Sequence, residues 1–523
     1  MTESDHEERT LFTGITRQTL LIVLNFFFMG LIGVISWKVV ASNLTLPDSG
    51  GLSEVGIVNF AIGFAGLFSF ITNLGFGSAH VKRVSEGQDL GKCIGTYFTI
   101  QVMSIFVFII TVVGSIFIWK NVMNRGFESV YHEYTIYIIL GYFAANNLST
   151  VAQQTFIGRI EIAKNQIVVL IGAFIQLIVT IIVVTSVRDT FLYAMTFVVG
   201  AFTNLGISFY FLLKLPIKRP SWDLFKSYFV FSIPMFIVTV MSQLATNIDK
   251  VMVQLFWDSY NVGVYVGGQK FSVYLIMIST GIGTILFPTF SRLKSSGREG
   301  HIRNLTYSSE RLIAMFMGPF CAVVFALSIP IVTLLGDTTY AASYLILQPL
   351  AIWSYFKSLS TPYRNLIMGI GKPKILAIVS IVSLVSIVGF NLIFIPKDIK
   401  IFGIELLGMG ARGAAIGTLL SAVVTFVVFR FFTYRYQKVF LNIKIFKFVF
   451  ASVLTGAGIY GLEQLYPADN IFLLVLYAMA GIILYTIILV PLKGFNKEDW
   501  ILFREVISPM AMIKYLKDEL FKR

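Results

Sequence analysis

The stretch IGTYFTIQVMSIFVFIITVVGSIFIW, residues 94–119, runs for 26 residues without a charge. A helix of about 20 residues crosses the ~30 Å hydrocarbon core of a bilayer. This stretch is longer than that, and it has company. Apolar runs also fall at 19–41, 56–76, 134–154, 165–187, 190–213, 225–248, 260–288, 310–335, 340–362, 374–396, 411–433, 446–465 and 470–492. They predict an all-α polytopic membrane protein with about 14 transmembrane helices.

Composition agrees. The chain has 523 residues, 56% of them hydrophobic and only 13% charged. A soluble domain carries roughly 25% charged residues. Lipid must therefore solvate most of this surface. The net charge is +14, yet its cations sit in short loops between apolar runs, so no nucleic-acid partner is expected. Cys93 and Cys321 lie far apart in apolar runs, which excludes a disulfide framework or a zinc site. No metal, no cofactor and no catalytic residue is expected. The acidic start, Met1 to Glu8, does not fit a secretory signal, and the tail from Trp500 to Arg523 reads as an interfacial amphipathic segment.

Counted by side across the runs, 30 Lys and Arg fall on the side of the N-terminus and 7 on the other. The positive-inside rule then expects both termini in the cytoplasm and the protein in the cytoplasmic (plasma) membrane. Four cations remain in or at the edge of spans: Lys38, Lys270, Arg311 and Lys357. Among the acids, only Asp249 falls near a span.

The second half repeats the first. A block starting at Gly56 matches one starting at Gly263, and one at Gly158 matches one at Gly369, at offsets of 207 and 211 residues. Six spans per unit give parallel repeats related by an axis along the membrane normal. The expected units are an N-terminal six-helix bundle over 1–215, its pseudo-repeat over 216–440, and two extra helices with the tail over 441–523. Spans one to six contain no Pro, whereas spans seven to ten contain six, so bending is expected in the second bundle.

Four stretches carry a resemblance to a known family. They are GIVNFAIGFAGLFSFITNLGFGSAHVKRVSEG (56–87), with its Asn73-Leu74-Gly75-Phe76-Gly77 turn; SIPMFIVTVMSQLATNIDKVMVQLFWDSYNVGVY (232–265), with Ile248-Asp249-Lys250; MGIGKPKILAIVSIVSLVSIVGFNLIFIP (368–396); and GMGARGAAIGTLLS (408–421). Together they resemble the Wzx-type polysaccharide flippases of the multidrug/oligosaccharidyl-lipid/polysaccharide exporter superfamily. The resemblance implies two six-helix bundles around a central cavity. It implies a flippase that carries an isoprenoid-(di)phosphate-linked sugar or oligosaccharide to the outer leaflet, for cell-surface polysaccharide or glycoconjugate assembly. Expected partners are that lipid-linked oligosaccharide, membrane lipid, and glycosyltransferases or a polymerase of the same pathway. The alternatives are a cation-coupled drug exporter of the same superfamily and, in another class, a membrane glycosyltransferase or polysaccharide polymerase.

For such a substrate the wall of the path needs cations for phosphate and amides for sugar hydroxyls. Lys270 lies about ten residues into its span, ~15 Å deep, where snorkelling is hard. Lys357 and Lys38 are the shallower candidates. Asn25, Asn73, Asn247 and Gln269 are the candidate sugar-binding amides, each with interhelical glue as its plainer role. Asp249 and Lys250 offer an ion-coupling site, an ion pair or a helix-end cap.

Overall fold

The computed structural model describes residues 28–44, 52–122, 129–159, 161–187, 189–295, 299–335, 338–399, 404–440 and 445–492, with positions 25, 127, 297, 442 and 494. The expected amphipathic tail lies outside them. In every expected span the described residues are helical, apart from span ends and short breaks near 68–75, 327 and 360. Eight described helices are long and apolar enough to cross a membrane, or nine if a bent pair counts as one span.

The helices are α1 (Phe28–Asn43), α2 (Leu52–Leu67), α3 (Phe76–Ser85), α4 (Leu90–Phe117), α5 (Val130–Gly158), α6 (Ile162–Ser186) and α7 (Thr190–Leu212) in the first half. The second half has α8 (Trp222–Phe256), α9 (Ser259–Ser295), α10 (Glu299–Ala326), α11 (Ser328–Leu335), α12 (Tyr344–Leu359), α13 (Thr361–Gly369), α14 (Pro373–Phe394) and α15 (Gly410–Gln437). Helices α16 (Phe446–Leu465) and α17 (Ile471–Leu489) follow. Asp398–Ile399 pairs antiparallel with Ile404–Glu405 in the α14–α15 connection.

Several helices begin where the sequence supplies a cap. Asp89, Asp189 and Asn470 each accept the backbone N–H three residues on, at the starts of α4, α7 and α17. Asp89 also pairs with Lys218 at 2.7 Å, tying the linker between the halves to α4. The Lys218 ammonium, and after it the Lys92 backbone N–H, holds this exposed carboxyl below its usual range. Large apolar side chains such as Phe106, Ile110, Phe174, Phe450 and Ile483 remain exposed. On so apolar a chain this is the surface that faces acyl chains.

One sharp bend falls in a span without proline. The segments Glu54–Leu67 and Ser69–Ser85 meet at 52°, and the second of them contains Asn73 and Gly75. Gly75 sits at φ 90°, a left-handed conformation that a side chain disfavours. Proline nonetheless marks the second half: Pro362 opens α13 just after the Ser360 break, while Pro319 and Pro349 lie within continuous helices.

Packing differs between the two ends of the molecule. One end carries the basic loops around Lys82, Lys92, Lys218, Lys294 and Lys372; the other is the far end. At the far end, one continuous core joins the halves: Trp37 and Val40 of α1, Val58 and Phe64 of α2, Val253 of α8, Tyr265 of α9 and Tyr340. At the basic end the cores are separate. Phe76, Tyr97, Phe156 and Tyr228 form one cluster, and Phe290, Tyr363, Leu366 and Phe429 another. The halves are thus sealed at the far end by one shared core; at the basic end the start of α8 packs on the first half, with Tyr228 2.9 Å from His80, and the core around Phe290 and Tyr363 stands apart from it.

Close helix contacts recur at matching places. A Cβ on Gly158, at the end of α5, would meet Val84 of α3 at 2.9 Å; one on Gly369, at the end of α13, would meet Phe290 of α9 at 2.5 Å. The paired positions are 211 and 206 residues apart. Helices α16 and α17 lie against α10, where Gly318 admits Ser452 and Tyr485.

Candidate functional site

The far-end seal is built from small residues on α1 and α2. A Cβ on Gly33 would fall 1.7 Å from the Tyr274 hydroxyl of α9, and one on Gly56 would fall 1.9 Å from the Ser259 carbonyl oxygen. Where helices approach this closely, few larger residues are admitted. Trp37 meets Tyr340 edge-on at 5.0 Å, and His132 of α5 hydrogen-bonds Ser259 at 2.8 Å. Lys38 donates its ammonium to the Leu334 carbonyl at the end of α11. This candidate cation therefore ties α1 to the second half across the seal.

Lys270 stands within this seal, between the Ser259 and Tyr274 contacts of α9. Its ammonium lies 5.1 Å from the centre of the Trp37 ring, and the side chain is half-buried. Lys250 of α8 is also half-buried and within electrostatic reach of Lys270. No carboxylate lies within ion-pair distance of either ammonium among the described residues. Two neighbouring cations with no carboxylate at ion-pair distance attract an anion.

Asp249 is adjacent in sequence to Lys250 but faces another way. Its Oδ1 accepts from Asn391 Nδ2 at 2.7 Å; its Oδ2 accepts from Tyr265 at 2.7 Å and Thr418 at 3.0 Å. The carboxylate is 2% exposed. It is not paired with Lys250, which lies against Gly63 of α2. Asp249 therefore links α8, α9, α14 and α15. The Asn391 Oδ1 beside it is buried without a hydrogen-bond partner. Gln269 joins this cage from outside, donating to Tyr265 Oη at 3.4 Å.

The other amides divide by location. Asn73 is exposed between α2 and α3. Asn247 packs against Gly66 of α2 and donates to the Gln243 carbonyl, so it belongs to the α2–α8 crossing. Asn25 donates to Gln166 of α6 and is buried within the first half. Arg311 donates to the Gly494 carbonyl beyond α17.

Lys357 of α12 is exposed, and so is Arg364 on α13. Arg364 falls between the expected spans 340–362 and 374–396, yet it stands on a helix, two turns beyond Lys357. A second correction concerns acids in spans. Glu310 of α10 is fully buried and bonded to Arg430 of α15 at 2.8 Å and to Tyr363 of α13. Arg430 also donates to the Phe440 carbonyl. Breaking a buried pair on one side leaves an uncompensated charge, at about 3–5 kcal/mol. Arg430→Met is expected to lower stability by that order. Adding Glu310→Gln should restore part of it, as thermal melting of the purified variants will show.

A family model described as "Polysaccharide biosynthesis protein" matches residues 51–343. A relative from Haloferax volcanii, named "Probable low-salt glycan biosynthesis flippase Agl15", is 20% identical over 446 residues, 84% of this chain and 89% of its own. Among solved structures, the lipid II flippase MurJ in an inward closed conformation superposes with a TM-score of 0.70 at 15% identity, covering 93% of this chain and 100% of that one. An inward-facing multidrug resistance MATE family transporter of the MOP superfamily gives 0.59 at 16% identity, covering 80% and 96%. These structural likenesses establish a shared polytopic membrane fold. With more than half of its length matched by the family model, the chain belongs to the polysaccharide biosynthesis protein family.

Proposed function

We propose that the protein is a flippase. It moves an isoprenoid-(di)phosphate-linked sugar or oligosaccharide from the cytoplasmic to the outer leaflet, for surface polysaccharide or glycoconjugate assembly. The observation that carries this reading is Lys270: half-buried within the far-end seal, beside Lys250, with no carboxylate at ion-pair distance from either ammonium among the described residues. A polar phosphate-bearing head cannot cross hydrocarbon unaided, because burying an unpaired charge is prohibitive. The two lysines give the phosphate a counter-charge along the way. The printed names of the Haloferax relative and of MurJ support the same class of cargo.

The basic end is the cytoplasmic one in this reading, by the excess of Lys and Arg there. Both termini then lie in the cytoplasm of a plasma-membrane protein. The basic end, where the cores separate, admits substrate from the cytoplasmic leaflet, and the lipid tail stays in the bilayer. Units 1–215 and 216–440 rock against each other about the central path, and α16 and α17 flank the second. Glycosyltransferases or a polymerase of the same pathway supply and consume the cargo. Asp249 is the candidate site for a coupling ion. Its carboxylate, the Thr418 hydroxyl and the unpartnered Asn391 Oδ1 gather oxygen ligands that suit a proton or a small cation.

The test is transbilayer movement in sealed proteoliposomes. A labelled polyprenyl-diphosphate oligosaccharide starts in one leaflet, and a membrane-impermeant glycosidase reports its arrival in the other. Protein-dependent arrival is expected. Failure with several sugars and carriers, under several ion gradients, would overturn the flippase reading.

A further inference from the structure

We infer that Lys357 and Arg364 form a separate loading site for the substrate's phosphate, at the mouth of the path and apart from the deep Lys250/Lys270 pair. The inference rests on the flippase reading and adds a place where the cargo is first held.

Depth can be read from helix contacts. Gly268 of α9 abuts Ile346 of α12, Gly283 abuts Thr361, and Phe290 abuts Gly369 of α13. These contacts run in the same direction along both chains, so α12 and α13 lie parallel to α9 in constant register. Lys357 is thereby level with a point about nine residues beyond Lys270, or ~13 Å nearer the basic end. Arg364 lies a further ~10 Å toward that end. One phosphate group cannot touch both pairs at once.

The chemistry of the pair fits an anion. The seven-residue spacing puts both cations on one side of α12–α13, two turns apart. They are within electrostatic reach of each other, which is repulsive. No carboxylate lies within ion-pair distance of either among the described residues. Both side chains are open to solvent, yet surrounding protein desolvates both, which marks a recess rather than an outer surface. Two repelling cations in a recess are stabilised by a doubly charged ligand held between them. Arg364 supplies a planar fork for two phosphate oxygens, and Lys357 a mobile point charge.

The Ser360 break lies between the two residues, where α12 passes into α13. Their separation therefore depends on how the two helices are set. Tyr363 and Asn365 flank Arg364: Tyr363 is anchored to Glu310, and Asn365 donates to the Thr361 carbonyl. The Arg364 end is thus fixed by the buried Glu310–Arg430 pair, and Lys357 is the adaptable partner.

The experiment uses the full-length protein in nanodiscs and farnesyl diphosphate as the probe, with farnesol as the uncharged control. A hydrogen bond to a charged group contributes about 1.5–3 kcal/mol, or about 10- to 100-fold in affinity. Lys357→Gln with Arg364→Gln is expected to weaken diphosphate binding by at least about tenfold and to leave farnesol unchanged. Lys270→Gln should change probe affinity by no more than about twofold while lowering the maximal transport rate. In proteoliposomes the loading variants should raise the half-saturating substrate concentration and keep the maximal rate. Should the double variant fail to fold, Arg364→Lys reports instead, because it keeps the charge and loses the fork; it should weaken the probe severalfold. Unchanged probe affinity in the loading variants, or an equal loss in Lys270→Gln, overturns the loading site. A protein that binds the probe as expected but moves no lipid-linked sugar overturns the flippase reading and leaves the anion site standing.

Discussion

Lys270→Gln is expected to cut the rate of transbilayer movement by about 10- to 100-fold, the equivalent of losing one charge-assisted interaction, while the protein still folds. The reason lies in what holds this ammonium when the far end is sealed. Its described contact is the face of Trp37, 5.1 Å from the ring centre. Cation–π attraction contributes about 0.5–2 kcal/mol, which a phosphate dianion outcompetes. Trp37 belongs to α1 in the first half, and Lys270 to α9 in the second. Arriving phosphate therefore draws Lys270 out of a contact between the halves, and cargo binding loosens the seal it must pass. Lys250, within reach, keeps the region positive as the ammonium moves. Replacing Lys270 by Gln removes the attraction and leaves the packing of the stem nearly intact, so melting should change little. Lys270→Arg should recover much of the rate. Initial rates in proteoliposomes, set against Trp37→Leu, decide the matter: Lys270→Gln at the rate of the unmodified protein would remove this residue from the mechanism.

The positions of the helices were legible because hydropathy registers length and apolarity, which a bilayer demands of each span. Residues 94–117 sit within α4, and 118–119 continue it as the start of a π-helical turn. Ends were less legible. Helix α10 begins at Glu299, well before the expected 310, because EGHIRNLTYSSE is helical yet too polar to register. The span expected over 310–335 is two helices, broken at Leu327 shortly before Pro330, whose ring removes a backbone donor. In the site, Asp249 and Lys270 stood out because an ionisable residue in an apolar run is conspicuous. The partners of Asp249 were hidden by distance along the chain: Asn391 lies 142 residues away and Thr418 169. A lone Asn in the apolar run VSIVGFNLIF was the one signal available. Arg364 was hidden because TPYRNLIMG opens with Thr-Pro and ends with Gly, which punctuates like a loop but also bounds a two-turn helix. The tether of Lys38 depended on where α11 ends, which no local pattern around Lys38 specifies.

Gly56→Val is expected to hold the far end open and to stop transport. A Cβ at position 56 would sit 1.9 Å from the Ser259 carbonyl oxygen and 2.8 Å from its carbonyl carbon. Both are backbone atoms at the start of α9, so no rotamer change relieves the clash. Helix α2 must then move off the α8–α9 turn. That movement also strains the His132–Ser259 hydrogen bond, which spans the same junction. Overpacking a close contact costs about 1–3 kcal/mol, which shifts the balance between sealed and open states by about 5- to 150-fold. Spin labels at Asn121 and Tyr260, exposed on opposite halves at the far end, should report a longer distance in Gly56→Val than in the parent. Gly114→Val is the control, since nothing lies within 4 Å of a Cβ there, and it should leave the distance unchanged. An unaltered distance in Gly56→Val would mean that the seal does not depend on this approach. A lengthened distance with transport intact would mean that sealing the far end is not a step the protein must complete, and alternating access would have to be abandoned for a path open to both leaflets at once.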